Sequence, residues 1–207
     1  MNAEEFVETV RAETKTELSR LGSSKSLYAD TEGEMDEQPV LGAVADLVQY
    51  ATETFETWAE EESGPAGELF ADLAETVGEQ YGTVAGKHGD HEPGAEPAME
   101  TYLQGLETTT ERVGATVGWA MVVEQKIGQA VGFFVGQASP QTASTFREVR
   151  GAVDDAIDAG VETLTAVCDG DDDWDLARGA AVVTIEEAYD EYVETLEALG
   201  VNPKPVC

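Results

Sequence analysis

The chain is 207 residues long and carries 11 Lys and Arg against 43 Asp and Glu, a formal net charge of −32 at pH 7, with 42% hydrophobic residues. A charge of that sign excludes direct binding to nucleic acid, which needs a basic face to release counterions, and argues equally against anionic membrane surfaces. The apolar fraction excludes a disordered acidic tail and supplies enough chain for one ordinary core, so residues 1–207 are expected to form a single domain.

A folded core inside a carboxylate shell suits a cytoplasm of molar salt, where screening confines self-repulsion to short range. Lysine is scarce, at Lys15, Lys25, Lys87, Lys126 and Lys204. A halophile's cytoplasmic protein is therefore expected. The acidic start Met1-Asn2-Ala3-Glu4-Glu5 lacks the basic segment and apolar run of a signal peptide, and no stretch approaches the ~18 apolar residues of a membrane span.

Helical periodicity runs through the chain. A first helix is predicted from Asn2, a plausible N-cap, through Phe6, Val7, Val10 and Leu18 to Leu21, with Gly22 closing it. Ser24 to Gln38 reads as a short polar helix or loop. A second helix begins at Pro39 and carries Val44, Leu47, Val48, Ala51, Phe55 and Trp58 to Glu62. After the turn Ser63-Gly64-Pro65, a third takes Leu69, Phe70, Leu73, Val77, Tyr81 and Val84 to Gly86. The segment from Lys87 to Pro97 is the clearest loop. One helical region from Ala98 to Phe134 is predicted to follow, bent near Gly114 or Gly118. Beyond Ser139-Pro140, a fifth helix carries Phe146, Val149, Val153, Ile157, Val161, Leu164 and Val167. Asp169-Gly170-Asp171-Asp172-Asp173 breaks it, and a last helix runs from Trp174 to Gly200. With no strand signal, the fold class is all-α.

An internal repeat organises the middle. Trp58, Ser63, Phe70, Leu73 and Val77 align with Phe134, Ser139, Phe146, Val149 and Val153 at an offset of 76 residues. Two helix hairpins joined by a long connection is the topology of a ferritin-like four-helix bundle. The core is then expected at 39–168, with 1–38 and 169–207 as flanking helices.

The hairpin residues Tyr50-Ala51, Phe55, Trp58-Ala59, Phe70, Ala74-Glu75 and Glu79-Gln80-Tyr81 resemble the first half of the rubrerythrin branch of the ferritin-like superfamily. The segment Leu21 to Asp30 and the ending Asn202-Pro203-Lys204-Pro205 are similar to a haloarchaeal group labelled rubrerythrin-like. The resemblance implies an archaeal source, a homodimer and a buried di-iron site. Such a site needs a Glu from each of two helices and a Glu-x-x-His from each of the others. In the register set by the aromatic residues those positions fall at Val48, at Val77 and Gln80, at Glu124, and at Val153 and Ala156. Of these only Glu124 has the right chemistry, and its simpler reading is a surface residue beside Gln125 and Lys126.

His88 and His91 are the only histidines, and His88-Gly89-Asp90-His91-Glu92 packs two imidazoles and two carboxylates into five residues. That composition suffices for a divalent cation, although a solvated loop explains it as well. Asp169 to Asp173 lacks the closing Glu of a calcium loop, since Ala180 falls at the twelfth position, and reads as a helix-capping turn. Cys168 and Cys207 form no disulfide framework, and Cys207 reads as an incidental thiol. Phe55, Trp58, Phe70, Phe134 and Phe146 read as core. Gly114, Gly118, Gly128, Gly132 and Gly136 put small residues on one helix face, a seam either within the bundle or between the subunits of a dimer.

The expected function is thus a non-catalytic bundle acting as a structural, interaction or regulatory protein, possessing no cofactor and taking a protein partner. The alternative is a rubrerythrin-like oxidoreductase or metal-handling protein. It would hold iron or manganese in an atypical site drawn from Glu124, Glu75, Glu79, His88 and His91.

Overall fold

The computed structural model describes residues 1–203, and Cys207 lies outside the described residues. The described chain is all-helical: α1 Ala3–Glu13, α2 Lys15–Leu21, α3 Ser24–Asp30, α4 Glu37–Glu61, α5 Gly64–His88, α6 Ala98–Gln104, α7 Thr109–Gly136, α8 Pro140–Val167 and α9 Asp171–Ala198. No helix among the described residues is long and apolar enough to cross a membrane.

The expected first helix is two. Its Asn2 cap forms a full capping box with Glu5, and α1 and α2 divide at the buried Thr14, whose hydroxyl turns back to the Val10 carbonyl at 2.7 Å. Such back-bonding bends a helix slightly without breaking it, as at Thr54, Thr116 and Thr184 inside unbroken helices, and the Thr14 N–H keeps its own bond to Val10. The division lets α1 lie on α8 and α9 while α2 packs on α7 and α9.

The predicted continuous helix from Ala98 to Phe134 is also two, divided over residues 105–108 and not at Gly114 or Gly118. Thr108 caps α7 in a reciprocal box with Glu111, the Thr-x-x-Glu signature of a helix start. Arg112 then fixes the junction: its Nε donates to the Leu106 carbonyl at 3.1 Å, and its guanidinium reaches Glu61 and Glu62 at 2.6 and 3.0 Å.

The hairpins α4–α5 and α7–α8 turn alike. Ser63 and Ser139 each occupy the N-cap, and each following helix has a proline in its first turn. Trp58 packs edge-on to Phe70 with ring centroids 5.0 Å apart, and Phe134 stacks on Phe146 at 5.3 Å. These pairs are related by the 76-residue offset. Contacts of α5 with α8 and of α4 with α7 join the hairpins. His88 at the end of α5 lies over Gly42 near the start of α4, whereas Arg112 at the start of α7 meets the end of α4. The connection between hairpins therefore travels the length of the bundle, carrying α6 with it.

α9 runs parallel to α7 and is its second main neighbour after α8. A Cβ built on Gly114 would stand 2.2 Å from the Ala177 carbonyl oxygen, and one on Gly118 would stand 2.5 Å from that of Ala181. The first part of the small-residue seam is thus intramolecular. Gly128, Gly132 and Gly136 have nothing within 4 Å of such a Cβ, so the second part is open. Val135, at 54% exposure, stands beside it.

Candidate functional site

The positions at which the sequence register would place di-iron ligands lie inside the bundle. Val48, Val77, Val153 and Ala156 are at most 4% exposed and belong to the same apolar core, with Gln80 buried beside them. Valine and alanine have no donor atoms, so the interior does not fit two iron ions. Gln80 keeps an unpartnered Oε1, a single neutral acceptor.

Glu124 is not in that interior. It stands where α7, α8 and α1 meet, taking Arg150 at 2.7 Å and Arg11 at 3.8 Å. The Glu124 side chain is only 12% exposed, not the surface residue expected, but both arginines are about half exposed, so Glu124→Gln is expected to cost about 1 kcal/mol in a chemical denaturation series. Glu75 and Glu79 are exposed on α5 and point away from the core.

His88 and His91 do come together, with ring centroids 5.2 Å apart, because α5 extends to His88 and Gly89 takes φ 93° to reverse the chain. His91 Nε2 lies 3.1 Å from Asp46 Oδ1, and Tyr81 closes on its ring at 6.1 Å. Its side chain is 4% exposed, so His91 is packed against α4 and α5, whereas Gly89, Asp90 and residues 92–96 are exposed as a solvated loop is expected to be. Even so, among the described residues no three His, Cys, Asp or Glu side chains are arranged to hold a metal ion.

Asp169 to Asp173 is an interhelical turn, but the N-cap of α9 is Gly170 and, contrary to expectation, no aspartate side chain caps the helix. Asp173 accepts the Asp169 N–H at 2.8 Å, Asp171 pairs with the N-terminal ammonium at 3.1 Å, and three aspartates occupy the first turn of α9. Anionic side chains there complement the helix dipole. Cys168 beside it is a free thiol pushed up to about 11 by burial, then by Asp173 and Asp169. It stays a thiol at neutral pH, which makes it a poor nucleophile.

Sequence reasoning missed the most unusual side chain. Glu100, on α6, is 0% exposed. Trp119 Nε1–H of α7 donates to its Oε1 at 3.1 Å, and its Oε2 lies 3.4 Å from the Thr54 hydroxyl of α4. Burial pushes its pKa up to about 8, with Glu96 adding to the rise and the two hydrogen bonds opposing it. Thr54 Oγ1 also reaches the Tyr50 carbonyl at 3.1 Å. A hydroxyl has one proton, so with that proton on the carbonyl, a neutral Glu100 donates its own to Thr54 and every polar atom is satisfied. A carboxylate would leave two acceptors competing for that proton. The network therefore assigns Glu100 as the neutral acid. The available signal was its place three residues before Leu103 and next to Met99, on the inward face of a short helix.

Beside α6 lies a cleft of about 250 Å³ between α3, α4, α9 and the crossover. Leu27, Val44, Leu47 and Met99 give it apolar walls, and Asp30, Asp46, Lys126 and Glu191 give it polar ones. Lys126 is tied to Asp30, and Glu191 accepts the Ala98 N–H at 3.2 Å. Burial raises the pKa of Glu191.

No family model, curated protein or solved structure matches this chain. The functional reading therefore rests on the chain's own residues.

Proposed function

We propose that this protein is a ferritin-like bundle that works without a metal centre, as a structural, interaction or regulatory protein acting through packing and association. The observation that carries this reading is the hydrocarbon interior: Val48, Val77, Val153 and Ala156 fill the ligand positions of a di-iron site. The bundle-length crossover between similar hairpins supports the ferritin-like assignment, since a simple up-and-down bundle needs only short turns. The net charge of −32 supports a high-salt cytoplasm as the working environment. The open face at Gly128, Gly132 and Gly136 offers a place where a second copy could approach closely, which supports a homodimer.

Metal analysis tests the reading. Tag-free protein purified in molar KCl is expected to hold less than about a tenth of an equivalent of iron or manganese, to leave hydrogen peroxide unconsumed, and to unfold at the same temperature with and without chelator. Close to two irons per chain, or peroxide turnover that chelation abolishes, would overturn it in favour of an oxidoreductase of the rubrerythrin kind.

A further inference from the structure

The crossover is attached to the bundle by few polar contacts. Gly94 N–H donates to Asp46 Oδ1 at 3.0 Å, and the Tyr50 hydroxyl donates to the Gly94 carbonyl at 2.8 Å. Ala98 N–H donates to Glu191, and Glu100 reaches inward to Trp119 and Thr54. α6 has only seven residues and lies between Pro97 and Gly105, which bound it as a short unit. Its apolar anchors are Met99 and Leu103, with Leu106 just beyond. The hairpins α4–α5 and α7–α8 pack within and against each other without it.

We infer that residues 94–106 form an alkali-released strap: proton loss from Glu100 undocks α6 from α4, α7 and α9 while the two hairpins stay folded. In that step the carboxyl O–H bond breaks, the proton passes to hydroxide to give water, and a carboxylate remains on α6. In the docked position it meets no free cation among the described residues. α4 presents the Thr54 hydroxyl and the Tyr50 carbonyl, and α7 presents Trp119. Arg112 of α7 is already held by the Leu106 carbonyl, Glu61 and Glu62. α9 brings Glu187 beside Tyr102 and Glu191 at Ala98, and the flank of α6 brings Glu96. Lys126, the nearest lysine to Glu191, is paired with Asp30. A charge so placed is relieved by moving to water, and that relief offsets the exposure of Met99, Leu103 and Leu106. Release also lifts one wall of the 250 Å³ cleft, to which Gly94, Ala95, Pro97 and Met99 contribute. The strap thereby couples a proton to access to that cleft.

Hydrogen exchange read by mass spectrometry on the full chain tests this, at pH 6 to 9 and corrected for the intrinsic base-catalysed rate. In wild type the opening of 98–106 is expected to rise about tenfold per pH unit from pH 6 to about 8 and to level off beyond it, while amides of 110–134 keep their protection. Glu100→Gln, which keeps both hydrogen bonds without a titrating proton, is expected to hold 98–106 closed across the whole range. Matching pH profiles for wild type and Glu100→Gln would overturn the strap, as would simultaneous loss of protection in all helices. Should Glu100→Gln fail to fold, the wild-type profile decides by itself, through a rise confined to 98–106 or its absence.

Discussion

Gly114→Ala is expected to destabilise the protein by roughly 2–4 kcal/mol, although alanine gains about 1 kcal/mol over glycine in a helix interior. The new methyl group would stand 2.2 Å from the Ala177 carbonyl oxygen and 2.6 Å from its Cα, and both are backbone atoms that cannot rotate aside. α9 must move away from α7, loosening the wall that holds Ala177, Ala180 and Ala181. Gly118→Ala meets the Ala181 carbonyl at 2.5 Å and is expected to behave alike. Gly128→Ala and Gly132→Ala, on the same helix with nothing within 4 Å, should instead stabilise by about 0.5–1 kcal/mol each. Urea midpoints in molar KCl at constant slope read all four. A neutral Gly114→Ala would mean that α9 does not sit on α7 as described.

Glu100→Gln is expected to have little effect near pH 4.5 and to become the more stable protein as pH rises, by on the order of 3–5 kcal/mol at pH 8. The sign follows from proton binding. The folded carboxyl is raised from 4.5 to about 8, so between those values the native state holds a proton that the unfolded chain has lost. Wild-type stability therefore declines through that window and levels off above it. Glutamine has no such proton, donates from its amide to Thr54 and accepts from Trp119. Thermal or urea unfolding of both proteins from pH 5 to 9 measures the difference, and the contribution of the many surface carboxylates cancels because both proteins share them. A constant difference across the series would mean that Glu100 is ionised in the folded state.

Much of this fold was legible because amphipathic periodicity reports burial directly. The hairpin turns were readable from Ser63-Gly64-Pro65 and Ser139-Pro140, and the core role of Phe55, Trp58, Phe70, Phe134 and Phe146 from their spacing. Two helix divisions were not. Thr14 marks the division of its helix, but a threonine in a helical pattern carries no sign of it, since Thr54, Thr116 and Thr184 make the same bond inside unbroken helices. The division before α7 was marked by Thr108 and Glu111, but the apolar period continued across it from Leu103 and Leu106 to Val113 and hid the cap. The candidate site was less legible still. In a chain with 43 acidic residues a buried carboxylate looks like every other one, and only the packing of α6 between α4 and α7 distinguishes Glu100. His88 and His91 were visible as a pair, yet their contact with Asp46 depends on how the crossover returns along α4.

The length of that crossover has a consequence for how the chain finds its shape. Each hairpin closes through a short turn, over residues 62–63 and 137–139, so its contacts are near in sequence and form quickly. Docking one hairpin on the other must wait until the crossover has spanned the bundle, and the contacts of Met1 with Asp171 and of Lys25 with Asn202 close loops of 170 and 177 residues. The expected order is therefore local hairpins first and their docking last. Core truncations at the α5–α8 contact should mainly slow folding if that docking is the barrier. Refolding kinetics would then depend on pH through the crossover, since an ionised Glu100 must recover its proton before α6 can settle.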